Sequence, residues 1–151
     1  MDTTVSSFDG CELVVPIING QPLHFPHKDF GCFDTYCGAG SGIGDLIVPD
    51  VIYEVPVSVA CYIHDMMWRY CAPTVEDFNQ SNLTFFENIV RIITYFVPIA
   101  KNDKYRVSRY QRAATYYAAV QTGIGPYIFS RMKHEQATAQ EVMYEGNMAS
   151  T

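Results

Sequence analysis

Positive charge is scarce in this chain of 151 residues: ten Lys and Arg stand against sixteen Asp and Glu, a formal net charge of −6. A surface of that sign repels phosphate backbones, which excludes nucleic acid as a general partner and disfavours unaided adsorption to strongly anionic bilayers. Long apolar runs are also missing. The longest candidate, residues 83–100, is broken by Glu87, Asn88, Arg91 and Pro98, so no membrane span is expected. The five cysteines (11, 32, 37, 61 and 71) contain no Cys-x-x-Cys pair, which argues against a structural zinc site, and their odd number rules out a fully paired framework. The start, "MDTTVSSFDGCE", has neither the basic opening nor the apolar core of a secretory signal. The expectation is a cytoplasmic protein, or one released by a route without a signal.

Apolar residues are plentiful. At 48% of the chain, with eleven Tyr and nine Phe, they predict a folded globule and one domain over residues 1–151, with 1–10 and 131–151 loose at its ends. Asn19-Gly20 between two apolar runs signals a small β-hairpin, although Pro16 and Pro22 weaken it. "LIVPDVIYEVPV" reads as short extended pieces around prolines. Three helices follow from periodicity. The first starts near Ser58, with Val59, Tyr62, Ile63, Met66, Met67 and Tyr70 as its apolar stripe, and Pro73 stops it. The second runs from about Ser81 to Val97 with Phe86, Ile89, Val90, Ile93 and Phe96 inward. The third runs from about Tyr105 to Gln121 with Tyr110, Ala113, Ala114, Tyr117 and Val120 inward, and Gly123 lies just beyond its end. The tail reads as a short helix or as disorder. The fold class is mainly α, with a small β-hairpin and a glycine-rich loop.

That loop, "TYCGAGSGIGD", carries Gly38, Gly40, Gly42 and Gly44 in strict alternation. A P-loop needs Gly-Lys-Ser/Thr, and no lysine is near; a dinucleotide fingerprint needs G-x-G-x-x-G after a buried strand, and the third glycine is out of register. Ser41 has Ala39 and Ile43 where a nucleophile elbow needs glycines. Two readings remain, a surface turn or a metal loop. Glycines permit backbone conformations that turn successive carbonyl oxygens inward, and calcium takes such hard oxygens together with carboxylates. Asp65, on the first helix, is placed to supply the charge. Its neighbour His64 diverges from it by roughly 100°, so the pair can border one cavity. A solvated helix face is the plainer account of a lone His-Asp pair. Beside a metal loop, a neutral imidazole can take a proton from water.

Together the two motifs resemble those of the phospholipase A2 superfamily, whose calcium loop reads Tyr-Cys-Gly-x-Gly and whose catalytic helix reads Cys-Cys-x-x-His-Asp. Tyr36-Cys37-Gly38-Ala39-Gly40 matches the loop, and Ala60-Cys61-Tyr62-Ile63-His64-Asp65 matches the helix with its first Cys replaced. The resemblance covers residues 35–70 by motif and is nearest to divergent bacterial or phage-type members. It implies phospholipase A2-like helices, calcium held by the carbonyls of Tyr36, Gly38 and Gly40 and the carboxylate of Asp65, and His64 as general base. It further implies a Cys37–Cys61 disulfide, an aromatic role for Trp68, and a phospholipid or membrane surface as substrate. The loop-to-helix spacing is longer than in the familiar secreted enzymes, and their dense cysteine framework is absent. The family's second carboxylate, which orients the histidine, has no evident counterpart: Gln111 stands in its place in "YQRAATYY". Asn82 and Asp77 are the other candidates for that role, and Tyr116 or Tyr117 for hydrogen bonds to Asp65. A non-catalytic calcium- or lipid-binding protein on the same scaffold is therefore the alternative expectation.

Overall fold

A computed structural model describes residues 1–32, 51–99 and 101–149. Within them the protein is mainly helical with small antiparallel sheets. Strands β1 (Thr3–Phe8), β2 (Cys11–Ile18) and β3 (Gln21–Pro22) form a meander in the order β1-β2-β3. A second hairpin, β4 (Val51–Ile52) and β5 (Val55–Pro56), leads into helices α1 (Ser58–Tyr70), α2 (Val75–Phe96), α3 (Arg106–Gln121) and α4 (Ile124–Ala149). No described helix is long and apolar enough to cross a membrane.

The hairpins follow from their turns. Asn19-Gly20 joins β2 to β3 with both residues at positive φ (52° and 77°), the geometry whose twist matches that of paired strands. The chain start is not loose: Phe8 pairs with Cys11 across Asp9-Gly10, again at positive φ (48° and 81°), and this turn folds residues 3–8 onto β2. Asp-Gly is a strong hairpin signal that the polarity of the flanking residues obscures. Along β2, Cys11, Leu13 and Val15 point into the core and Glu12 points out, the period of two expected of a half-buried strand.

Helix α2 begins six residues earlier than its apolar stripe indicates. Thr74 caps it, its hydroxyl accepting from the Asp77 N–H at 3.2 Å, and Glu76 and Asp77 favour the positive end of the helix dipole. Its buried face also differs from the expected one. Phe78, Phe85, Ile89, Ile92 and Ile93 are buried together with Ser81, Asn82, Thr84 and Asn88, so polar side chains share the inner face. The inner face of α3 is Arg109, Ala113, Tyr116 and Val120: Ala113 and Val120 are inward as expected, whereas Arg109 and Tyr116 take the places expected of Tyr110 and Tyr117, and Ala114 is exposed. Gly123, at φ 61°, ends α3. The tail then continues as α4 to Ala149 rather than fraying at 131. Phe129 anchors it against Trp68 and Phe78 (ring centroids 5.5 and 5.0 Å). Lys133 donates to the carbonyl of Cys71 at 2.6 Å, just past the C-terminus of α1, where a cation is favoured.

One buried side chain of α2 pairs with the backbone of β2. The Asn88 amide accepts from the Val14 N–H and donates to the Val14 carbonyl, both at 2.8 Å. It acts as a one-residue strand on the outer edge of β2. Asn88 is fully buried, so Asn88→Ala leaves two backbone groups without partners and opens a void. We expect a loss of about 2–4 kcal/mol in unfolding free energy, read from urea denaturation. A change below about 0.5 kcal/mol would show that water replaces the amide freely.

Candidate functional site

The site is built where α1, α2 and the end of α3 meet. His64 lies in the middle of α1 and is almost wholly buried, with its ring tilted against Trp68 (4.4 Å between centroids) and Phe85 (4.7 Å). Trp68 follows His64 by one helical turn, so both project from the same face. Phe78 and Phe129 extend the aromatic wall behind Trp68.

Facing the imidazole is Asn82 of α2, with no exposed surface. Its Oδ1 lies 2.8 Å from His64 Nε2 and 3.1 Å from Trp68 Nε1. Its Nδ2 lies 3.2 Å from the Val120 carbonyl oxygen and 2.9 Å from Gln121 Oε1. The amide has one possible orientation. An indole N–H only donates and a main-chain carbonyl only accepts, so oxygen must face Trp68 and nitrogen must face Val120. The Val120 carbonyl belongs to the last turn of α3, where helix carbonyls lack an intrahelical partner. Gln121 completes the chain by donating to Asn79 Oδ1 at 2.6 Å.

The amide in turn fixes the histidine tautomer. Oδ1 can only accept, so His64 Nε2 carries the proton and the lone pair resides on Nδ1. Nδ1 has no hydrogen-bond partner among the described residues. Burial drives the imidazole pKa down to about 4, and the bond to Asn82 offsets this only in part. His64 is therefore a neutral imidazole throughout the neutral range.

Asp65 turns the other way. Its side chain keeps an exposed face although protein crowds it on most sides. That crowding raises its carboxyl to about 7, against a downward pull from Arg69. No described group forms a hydrogen bond or ion pair with it. An unpaired carboxylate in crowded surroundings is electrostatically incomplete, and a hard cation is the partner that best completes it. Among the described residues Asp65 is the one expected calcium ligand, and a carboxylate is chemically suited to that ion. The expected carbonyl ligands Tyr36, Gly38 and Gly40 lie outside the described residues, as does Cys37. Cys61, one turn before His64, is disulfide-bonded. Among the described residues no three His, Cys, Asp or Glu side chains cluster around a common point.

Of the candidates for orienting His64, Asn82 lies against the ring. Gln111 is exposed on α3, where its carbonyl accepts from Thr115. Asp77 is engaged elsewhere: it accepts from the Met1 ammonium at 2.7 Å and from the Ala72 N–H at 2.8 Å. Neither Tyr116 nor Tyr117 bonds to Asp65; Tyr117 packs on Phe86 (5.5 Å) and Tyr116 lines a separate cavity. The sequence gives no sign of Gln121 as a member of the network, since it reaches Asn82 across 39 residues.

Because the folded-state pKa of His64 lies below its unfolded value of 6.5, the unfolded chain binds this proton first as pH falls. The associated stability is fully present above 6.5 and is lost as pH drops from 6.5 towards about 4. At about 1.4 kcal/mol per tenfold, the loss approaches roughly 3 kcal/mol. Urea unfolding of wild type and His64→Gln at pH 7 and pH 4.5 should show a much steeper acid loss in the wild type. Parallel behaviour of the two proteins would mean that His64 is not held neutral.

No protein-family model, curated protein sequence or solved structure matches the chain.

Proposed function

We propose that the protein is a calcium-dependent, phospholipase A2-like esterase that hydrolyses the sn-2 acyl ester of glycerophospholipids. The observation that carries this reading is the state of His64: Nε2 is committed to Asn82, and Nδ1 holds an unengaged lone pair. Beside it in sequence stands Asp65, an unpaired carboxylate. A base of fixed tautomer next to a vacant anionic ligand is what water-mediated ester hydrolysis requires. The motif resemblance over residues 35–70 supplies the substrate class.

In this scheme His64 Nδ1 accepts a proton from a water molecule as the water oxygen attacks the sn-2 carbonyl carbon. The imidazolium so formed donates through Nε2 to Asn82 Oδ1, which keeps the ring from rotating. The proton then passes from Nδ1 to the departing glycerol oxygen as the acyl C–O bond breaks, giving a free fatty acid and a lysophospholipid. Trp68, Phe78 and Phe85 keep bulk water from the far side of the ring. Calcium, held by Asp65 and the carbonyls of Tyr36, Gly38 and Gly40, would polarise the ester carbonyl and stabilise the oxyanion.

One observation favours the alternative of a binding protein without turnover. Asn82 is neutral where a carboxylate would stabilise the imidazolium, and a base with a pKa of about 4 has little driving force to take a proton from water. The enzyme reading accordingly predicts slow turnover. Assayed on vesicles labelled in the sn-2 chain, wild type should release fatty acid with calcium and stop with chelator. His64→Gln and Asp65→Asn should each reduce the rate at least about 100-fold. Equal turnover in every condition would remove the proposal. Calcium binding by calorimetry with no product would establish the binding protein instead.

A further inference from the structure

We propose that the cavity between the β4–β5 hairpin and α3 is a binding site for a phosphate-type oxyanion, held by the Arg112 guanidinium and the hydroxyls of Tyr116 and Tyr53. It needs neither His64 nor calcium, and so stands apart from the hydrolase reading.

The cavity holds about 210 Å³ and is lined by Val51, Ile52, Tyr53, Arg112 and Tyr116. Among these described residues the polar groups are one cation and two phenols, with no carboxylate to repel an anion. Arg91, Arg109 and Arg131 each pair with a carboxylate, whereas the Arg112 guanidinium, like that of Arg69, has no hydrogen bond or ion pair among the described residues and, unlike it, lines this cavity.

The independent observation is Tyr116. The residue is only 3% exposed, yet its hydroxyl has no hydrogen-bond partner. Nor is that hydroxyl sealed from solvent, because the only described buried side-chain atom without a partner is Arg106 Nε. A buried phenol ordinarily finds a partner, and the cavity that Tyr116 lines is where one could enter. Burial raises the Tyr116 pKa, with Arg112 lowering it and Tyr53 raising it. The Tyr116 phenol is therefore close enough to feel both neighbours, and it remains a protonated donor at neutral pH.

The third donor is held by deliberate strain. Tyr53 and Glu54 form the β4–β5 turn at φ 44° and 71° without a glycine, a conformation that L side chains adopt only when their surroundings enforce it. Arg109 supplies the enforcement, gripping the Tyr53 carbonyl through Nη2 at 2.7 Å and Nε at 3.3 Å. Arg109 is itself anchored by Asp103. Tyr105 stacks on the Tyr53 ring at 5.1 Å and 13°. A guanidinium fork and two phenol donors from separate elements suit a tetrahedral group with acceptor oxygens on all sides better than a planar carboxylate.

The test is calorimetric titration with inorganic phosphate, in chelator so that calcium plays no part. A parallel arm uses glycerophosphocholine as the soluble diester headgroup. Wild type should bind at least one of them saturably. Arg112→Gln should weaken binding tenfold or more, and Tyr116→Phe several-fold, with Asp65→Asn unchanged. Arg112 is exposed, so Arg112→Gln should melt at the wild-type temperature, which separates lost binding from lost folding. Tighter binding of glycerophosphocholine identifies a lipid headgroup as the source, and tighter binding of inorganic phosphate identifies a free ion or monoester. Absence of saturable binding in both arms, or equal affinity in wild type and both cavity variants, would overturn the assignment.

Discussion

An amide side chain offers one accepting edge and one donating edge, and at Asn82 the surrounding structure uses both. Its oxygen receives two N–H groups from α1, and its nitrogen serves the exposed carbonyl end of α3. Three helices are thereby registered against one another by one planar group without exposed surface. Few alternatives satisfy such a junction. In a low-dielectric interior each unmet donor or acceptor costs as much as a substantial packing defect, so the helices, the tautomer of His64 and the free state of Nδ1 are fixed together. The reactivity of the imidazole is a consequence of how the fold is joined.

Six residues further along α2, Asn88 repeats the device towards the sheet. Helix α2 thus serves as the spine of the molecule, with apolar contacts supplying most of the cohesion and two asparagines supplying register. Apolar packing alone tolerates small rotations of a helix about its axis. Paired hydrogen bonds from a short, stiff side chain do not. Arg109 plays the corresponding part for the second hairpin, since without its grip on the Tyr53 carbonyl the turn at Tyr53-Glu54 would relax out of positive φ.

This division of labour explains what could be read from the sequence and what could not. The positions of α1 and α3 were legible because proline and glycine punctuate them and their stripes are apolar. The Asn19-Gly20 hairpin was legible from its turn chemistry. Periodicity placed the start of α2 too late, because Ser81, Asn82, Thr84 and Asn88 look like solvent-facing positions and are core. The same bias passed over Arg109 on the inner face of α3, which is buried through its bonds to Asp103 and the Tyr53 carbonyl, although Ala113 and Val120 were placed inward correctly. His64 and Asp65 could be named from their motif. That one is buried against aromatic rings while its neighbour keeps an exposed face depends on long-range contacts that no local pattern records.

The identity of residue 82 also has a local explanation that needs no reference to catalysis. An aspartate there could accept from His64 Nε2 and Trp68 Nε1 as the amide does, but its second oxygen would confront the Val120 carbonyl, acceptor against acceptor. Gln121 could turn its amide to donate, and Asn79 would then have to turn its own amide to keep their bond. A buried negative charge with one edge unsatisfied is expensive even beside an imidazole. With α3 ending where it does, asparagine is the residue that satisfies both edges. The weak basicity of His64 comes first from its burial, which the bond to Asn82 offsets only in part, so a stronger base at position 64 would require opening the aromatic surroundings of the ring as well as a charged partner at residue 82.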